Sequence, residues 1–527
     1  MLRLFVTFVS LLTSFYLTAQ IPTNGLDVQH YHFEIQLNDS DNNIKGQATI
    51  TVKFTKSVQK VFFDLVQKQT DGKGMMVTSV KKNDQPISFK QDAQQVIIED
   101  AATAATKNIY TIYYEGIPAD GLIIGTNKYG HRTFFADNWP NRGRNWLPCN
   151  DHPSDKASVE FIVTAPEHYQ VVSNGIQVEE TNLPGHLKRT AYREEVPLPT
   201  KEMAIGVADF AVNTAGLVDC IPVYSWVYPE DRDKGFAGYA AAVTILPWFI
   251  KHIGNYPYQK LANVQSKTVF GGAENAGTIF YYENSIISVG LEGLMVHEIA
   301  HQWFGNSASE KDWSHLWLSE GFVTYMTNVY HEEKYGLDSL NNRLKKDRNK
   351  IIAFAEQRFT PLSDPSAADD LMQLLNANSY EKGSWVLHML RRKIGDSFFW
   401  KGIRNYYSTY AGSNANSDDA KKIFEKISHQ NLNTFFNQWV YTAGQPVLDI
   451  KWNYNKNKKL INLTILQQQE NIFNFPLELS IDKKVFKIVP VNSKITTVSL
   501  DYAKQPAEII LDPKINLLFT GSIQQAK

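Results

Sequence analysis

The sequence predicts a multidomain α+β fold, and three observations carry that prediction. The chain is 527 residues long; its apolar residues change from two-residue to three- and four-residue spacing near residue 210; and two-residue spacing returns near residue 446. At about 150 residues per domain the length suggests roughly three domains, each able to bury a core without a disulfide framework or a structural metal. Residues 20–210 come first. Tyr31, Phe33, Ile35 and Leu37 alternate with His32, Glu34 and Gln36, and Ala48, Ile50, Val52 and Phe54 repeat the pattern. Such alternation, broken by Gly, Asn, Asp and Pro, marks half-buried antiparallel strands and an N-terminal β domain. Residues 211–445 turn helical, with stretches 237–253, 291–304, 320–334 and 382–394 at helical spacing and a glycine-rich break at 270–277. Residues 446–527 return to strands, with Leu463 and Ile465, then Leu477, Leu479 and Ile481, and the basic run 455–459 reads as a solvated hairpin tip.

Residues 1–19 stand outside this scheme. One cation, Arg3, precedes an apolar run at 4–17, and the small residues Thr18 and Ala19 follow. That is the layout of a secretory signal peptide, too short and too interrupted by Thr and Ser for a span of about 20 residues. An uncleaved N-terminal anchor is the alternative. The expected product starts at Gln20, is exported to the periplasm or the medium, and is not stably inserted in a membrane.

With 53 basic and 54 acidic side chains and 43% hydrophobic residues, the composition is ordinary globular. It excludes collagen-like and mostly disordered chains and gives no electrostatic case for nucleic acid or an acidic membrane. The two cysteines, Cys149 and Cys220, are either a disulfide of an exported protein or two buried thiols.

The chemistry is concentrated at His297, Glu298, Ile299, Ala300 and His301. Helical residues four apart share a face, so both imidazoles can aim at one point, as tetrahedral zinc requires. Glu298 is close enough to reach a water there without being a ligand. A catalytic zinc takes three protein ligands and leaves one position open. Glu320, 19 residues after His301 and in the first turn of a second periodic helix, supplies the third. His₂Glu is a donor set suited to zinc that activates water.

The run from His297 to Asn306, Glu320 at its spacing, and Phe270, Gly271, Gly272, Ala273, Glu274 and Asn275 upstream together resemble the zinc aminopeptidase family of aminopeptidase N and leukotriene hydrolase (gluzincin metallopeptidases). The similarity continues through Pro148 and Cys149, Tyr380 to Gly383, and Gly444 to Val447, so it covers nearly the whole mature chain. The resemblance implies a saddle-shaped β N-domain, a thermolysin-like α/β zinc catalytic domain and a small C-terminal β-sandwich. Members of the aminopeptidase N type often continue into a large helical C-terminal domain, so a chain stopping at Lys527 resembles the short form. It also implies one Zn²⁺ per chain on His297, His301 and Glu320. Glu298 would then be the general base toward the attacking water, and Tyr380 the donor to the developing oxyanion. Gly271, Gly272, Ala273, Glu274 and Asn275 would flank the substrate, with Glu274 binding the free α-ammonium.

Two positions depart from the family's usual pattern at the substrate. Ala273 stands where Met is usual, and counting back from Cys149 to the usual Glu or Gln of the N-domain reaches Trp139, which cannot bind an amine in that way. The nearby acid Asp137 takes that role in this reading, with Asn138 the other candidate. A third departure is Ser319, where Asn usually precedes the third ligand. The expected activity is removal of single residues from peptides with a free N-terminus. The rivals are a zinc endopeptidase and a catalytically silent secreted peptide-binding protein. The stretch Trp313 to Trp317 leans weakly toward the family branch that also hydrolyses a lipid epoxide.

Overall fold

A computed structural model describes residues 25–526, so the signal-peptide reading of residues 1–19 lies outside the described residues. The alternating segments form the strands Leu26–Gln36 and Ile44–Phe54, with Tyr31, Phe33 and Ile35 buried and His32 and Glu34 on the opposite face. They lie at the centre of an eight-stranded sheet that is antiparallel except where Leu26–Gln36 runs parallel to Ala157–Pro166. A four-stranded sheet beside it contains Arg132–Ala136, whose chain leads directly into residues 137–139.

A five-stranded sheet begins at Ala211–Val218 and continues through Ile221–Val227, Leu261–Ser266 and Thr278–Tyr282 to the short edge strand Gly272–Ala273. The turn between its first two strands places Asp219 and Cys220 at φ 47° and 66°, at an exposed tip. This corrects both readings of the cysteines. Cys149 is buried, Cys220 is exposed, and both thiols are free.

Among the described residues there are nine helices, the first two between the strands Ile221–Val227 and Leu261–Ser266 and the other seven after Thr278–Tyr282. The periodic stretch 237–253 is two helices, α1 (Arg232–Tyr239) and α2 (Ala242–His252), and not one. Helix α3 (Leu291–His301) stops three residues before the predicted 304, because Gly305 turns at φ 108° and the Asn306 N–H caps the His301 carbonyl at 3.1 Å. Helix α4 (Trp317–Tyr335) packs on α3; the chain then runs through α5 (Leu337–Gln357) to a single π-turn, Asn378–Lys382, that opens α6 (Gly383–Ile394).

The last region is two sheets of four and three strands, with Leu463, Ile465, Leu477, Leu479 and Ile481 buried between them and residues 456–459 at a hairpin turn. One contiguous apolar core runs through all three regions. No helix among the described residues is long and apolar enough to cross a membrane.

Candidate active site

Helix α3 buries Leu291, Met295, Val296, Ile299 and Ala300, which turns His297, Glu298 and His301 toward a cleft of about 260 Å³. Helix α4 brings Glu320 to the same point. His297 Nε2 and His301 Nε2 are 3.3 Å apart, and Glu320 Oε2 lies 3.5 and 3.4 Å from them. Atoms placed tetrahedrally about 2.0–2.1 Å from an ion stand about 3.3–3.4 Å from one another. The triangle therefore fits zinc. His301 Nδ1–H donates to the Phe304 carbonyl at 3.1 Å, which leaves Nε2 as the lone pair aimed at the cleft. Ser319 Oγ lies 3.2 Å from the same Nδ1. Glu320 Oε2 is buried with no hydrogen bond among the described residues, as a ligand oxygen awaiting a cation would be. Burial disfavours its charge, but His301 and His297 hold the Glu320 carboxyl far below the usual range.

Among the described residues a second His/His/Glu group, His30, His32 and Glu160, lies on the polar face of the N-terminal sheet. There the side chains are already paired: His32 with Glu160 and Glu34, and Glu160 with Arg193. The cleft cluster differs in that its Glu320 Oε2 is buried without a hydrogen-bond partner among the described residues.

Glu298 is 4% exposed and sits under the edge strand. A Cβ at Gly272 would fall 2.3 Å from Glu298 Oε1, so the loop can pass over this carboxylate only as glycine. Burial pushes Glu298 well above the ordinary carboxyl range; His301 opposes that rise, and Glu274 and Glu320 add to it. Tyr380 occupies the π-turn, its ring parallel to His297 at 6.1 Å between centroids. Single π-turns recur at functional sites because they re-aim one side chain out of helical register.

The close approach of α4 and α6 fixes Glu320 and Tyr380 relative to each other. A Cβ at Gly321 would lie 2.7 Å from Gly383 Cα, leaving no room for any side chain at the crossing. Gly321→Ala should lower stability by about 1–3 kcal/mol by overpacking, read as a lower urea midpoint; an unchanged midpoint would show that the helices can separate freely.

The glycine-rich loop is bolted to the C-terminal end of α3. Gln302 Nε2 and Asn306 Nδ2 donate to the Glu274 carbonyl at 2.8 and 2.6 Å, while Gln302 Oε1 accepts from the Gly277 N–H at 2.8 Å. This fixes the Glu274 backbone at the cleft, where the side chain's Oε1 is buried without a partner among the described residues. Glu274, Glu298 and His301 bring donor atoms within 4.8 Å of one another.

Of the expected substrate residues, Gly271, Gly272 and Glu274 line the cleft. Ala273 and Asn275 are buried beside it, not in its wall. Asp137 is a correction. It is 1% exposed, 2.5 Å from Arg142 Nη2, and accepts from the Val269 N–H at 3.1 Å. The carboxylate latches the base of the loop and has no free direction for an amine. Trp139 lines the cleft in its place, with Phe270, Leu294 and Leu375. Chemical type alone favours the acid; inside the fold Arg142, five residues on, and the Val269 N–H occupy Asp137, and Trp139 faces the cleft.

Comparison with known proteins agrees with this architecture. Residues 27–201 match the Peptidase M1 N-terminal domain and residues 239–439 the Peptidase family M1 domain. The chain is 26% identical over 477 residues to "Probable aminopeptidase 2" of Sulfurisphaera tokodaii, covering 86% of this chain and 59% of that protein. It is 24% identical over 485 residues to "Leucyl aminopeptidase" of Saccharolobus solfataricus, covering 86% and 58%. It is also 24% identical over 472 residues to "Glutamyl aminopeptidase" of Rattus norvegicus, covering 82% and 48%. The chain thus spans about half to three-fifths of the length of the curated relatives it matches.

Proposed function

Because this chain belongs to peptidase family M1, we propose that it is a zinc-dependent aminopeptidase that hydrolyses the first peptide bond of peptides with a free N-terminus. One observation carries the reading: a zinc-sized His297–His301–Glu320 triangle shares a cleft with Glu274, a few ångströms away, whose Oε1 is buried without a partner among the described residues. The triangle supports metal-assisted hydrolysis, and that acid supports an exopeptidase over an endopeptidase.

His297, His301 and Glu320 would hold the zinc. When bound, zinc supplies Lewis acidity, acidifying water and polarising a carbonyl. Glu298 takes a proton from the attacking water and delivers it to the leaving amine; its burial keeps that proton away from solvent. The Tyr380 hydroxyl donates to the oxygen that gains charge as the carbonyl becomes tetrahedral. Glu274 pairs with the α-ammonium and so sets the cut one residue in.

Elemental analysis of the purified protein should find one zinc per chain, displaced together with activity by a chelator and restored with it. Full activity in metal-free protein would refute the proposal. Tyr380→Phe should keep the metal and lower kcat about 10²–10³-fold with little change in KM; an unchanged kcat would remove Tyr380 from the oxyanion role.

A further inference from the structure

How the bond is cut does not decide which first residue is accepted. Resting on the aminopeptidase reading, we infer that the enzyme selects peptides whose first side chain is large and apolar, of the Leu, Met or Phe class, and that Trp139 is the wall that determines this.

The polar groups of the cleft are already committed in that reading. Glu274 takes the ammonium, and His297, His301, Glu320, Glu298 and Tyr380 surround the reacting bond. The first residue's Cα is bonded to both the ammonium nitrogen and the scissile carbonyl carbon. Its side chain must therefore lie against what remains: Trp139, Phe270, Leu294 and Leu375, with the bare backbone of Gly271 and Gly272. The side chains of that surface are apolar apart from the Trp139 indole N–H, which is buried without a partner among the described residues.

It is also stiff. Trp139 is 7% exposed and stands edge-to-face between Phe270 and Trp313, at 6.0 Å and 88° and at 5.9 Å and 83°. Leu316, Ala367 and Leu374 complete this small cluster, which is separate from the main core and lies beside the cleft. Edge-to-face packing on two sides fixes the indole as a wall and gives it little freedom to swing aside.

Charge excludes the other classes. Among the described residues no lysine or arginine lines the cleft, and its two histidines are committed to the metal in that reading. Arg142 stacks on Phe270 at 5.6 Å, but its guanidinium is held by Asp137, Asp120 and the Trp139 carbonyl. An acidic first side chain would thus meet Glu274, Glu298 and Glu320 with no free cation. A basic one finds no carboxylate beyond those in use. An unpaired charge in a desolvated pocket is strongly disfavoured, whereas each buried methylene favours binding.

The test is kcat/KM of the zinc-loaded protein on aminoacyl fluorogenic amides of Leu, Met, Phe, Ala, Glu and Lys. Leu, Met and Phe should exceed Glu and Lys by at least about 10²-fold and Ala by about tenfold. Trp139→Gln should lower Leu and Phe by at least about tenfold while changing Ala less than about threefold, and Trp139→Phe should keep the wild-type ranking. Competition of leucine, glutamate and lysine hydroxamates against the unmodified enzyme needs no variant and should rank in the same order, which covers failure of Trp139→Gln to fold. Cleavage of Glu or Lys amides within threefold of Leu would overturn the apolar selectivity alone, and an unchanged ranking in Trp139→Gln would overturn the role of Trp139 as its determinant. No cleavage of any amide by metal-loaded protein would overturn both this inference and the aminopeptidase reading.

Discussion

Glu298→Gln, purified with its metal, should hydrolyse amino-terminal peptide bonds about 10⁴-fold more slowly than the parent while binding zinc in the same ratio. The substitution is nearly isosteric, and the site is built to hold that shape. The side chain is buried, and the Gly272 backbone passes directly over Oε1. Packing therefore survives, and what disappears is the ability to accept a proton and return it. Because Glu298 is absent from the His297–His301–Glu320 triangle, the metal does not depend on it. The expected signature is a fall in kcat with KM little moved. Activity within tenfold of the parent would transfer the base to another group. Loss of zinc would instead place Glu298 among the ligands, a result the 3.3–3.5 Å spacing of the other three argues against.

The parts of this site that follow a helical period were legible in the sequence. His297 and His301 share a face because they are four apart, and Glu320 begins the next periodic segment, so a metal triangle could be read before any coordinates. Its dimensions could not. They depend on α4 meeting α6 at Gly321 and Gly383, a contact between residues 62 apart in the chain. Tyr380 illustrates a different limit: periodicity places a helix from 382, whereas the residue sits in a π-turn just before it, where helical spacing no longer predicts direction. The boundary between α1 and α2 is hidden for a related reason. The apolar spacing continues across residues 240–241 although the helix does not. Asp137 and Trp139 show a third limit. The acid is the better amine ligand in isolation, but Arg142 and the Val269 N–H satisfy it inside the fold, and the indole of Trp139 lines the cleft. Chemical type was a good guide to what the site needs and a poor guide to which neighbour supplies it.

Glu274→Ala should lower kcat/KM for free-amine peptides by about 10³-fold while leaving any slow cleavage of N-acetylated peptides unchanged. The backbone that carries this side chain is held in place. Its own carbonyl is held by Gln302 and Asn306, both within six residues of His301, so the loop is tied to the end of the helix that carries His297 and His301. The side chain's Oε1 is buried and lacks a partner among the described residues, so that oxygen has no protein donor in the free protein. An arriving ammonium supplies one, and removing one member of such a buried pair typically costs about 3–5 kcal/mol, or roughly 10²–10⁴ in binding. The α-ammonium is paired before and during bond cleavage, so the loss should fall mainly on KM, unlike that of Glu298→Gln. Glu274→Gln should lie between, since the amide keeps a hydrogen bond and loses the charge. An endopeptidase would respond otherwise: acetylated and free peptides would be cut alike, and the substitution would affect both equally. The ratio of the two losses thus measures how far the cut is fixed by the amine, independently of how well the metal and Glu298 perform the hydrolysis.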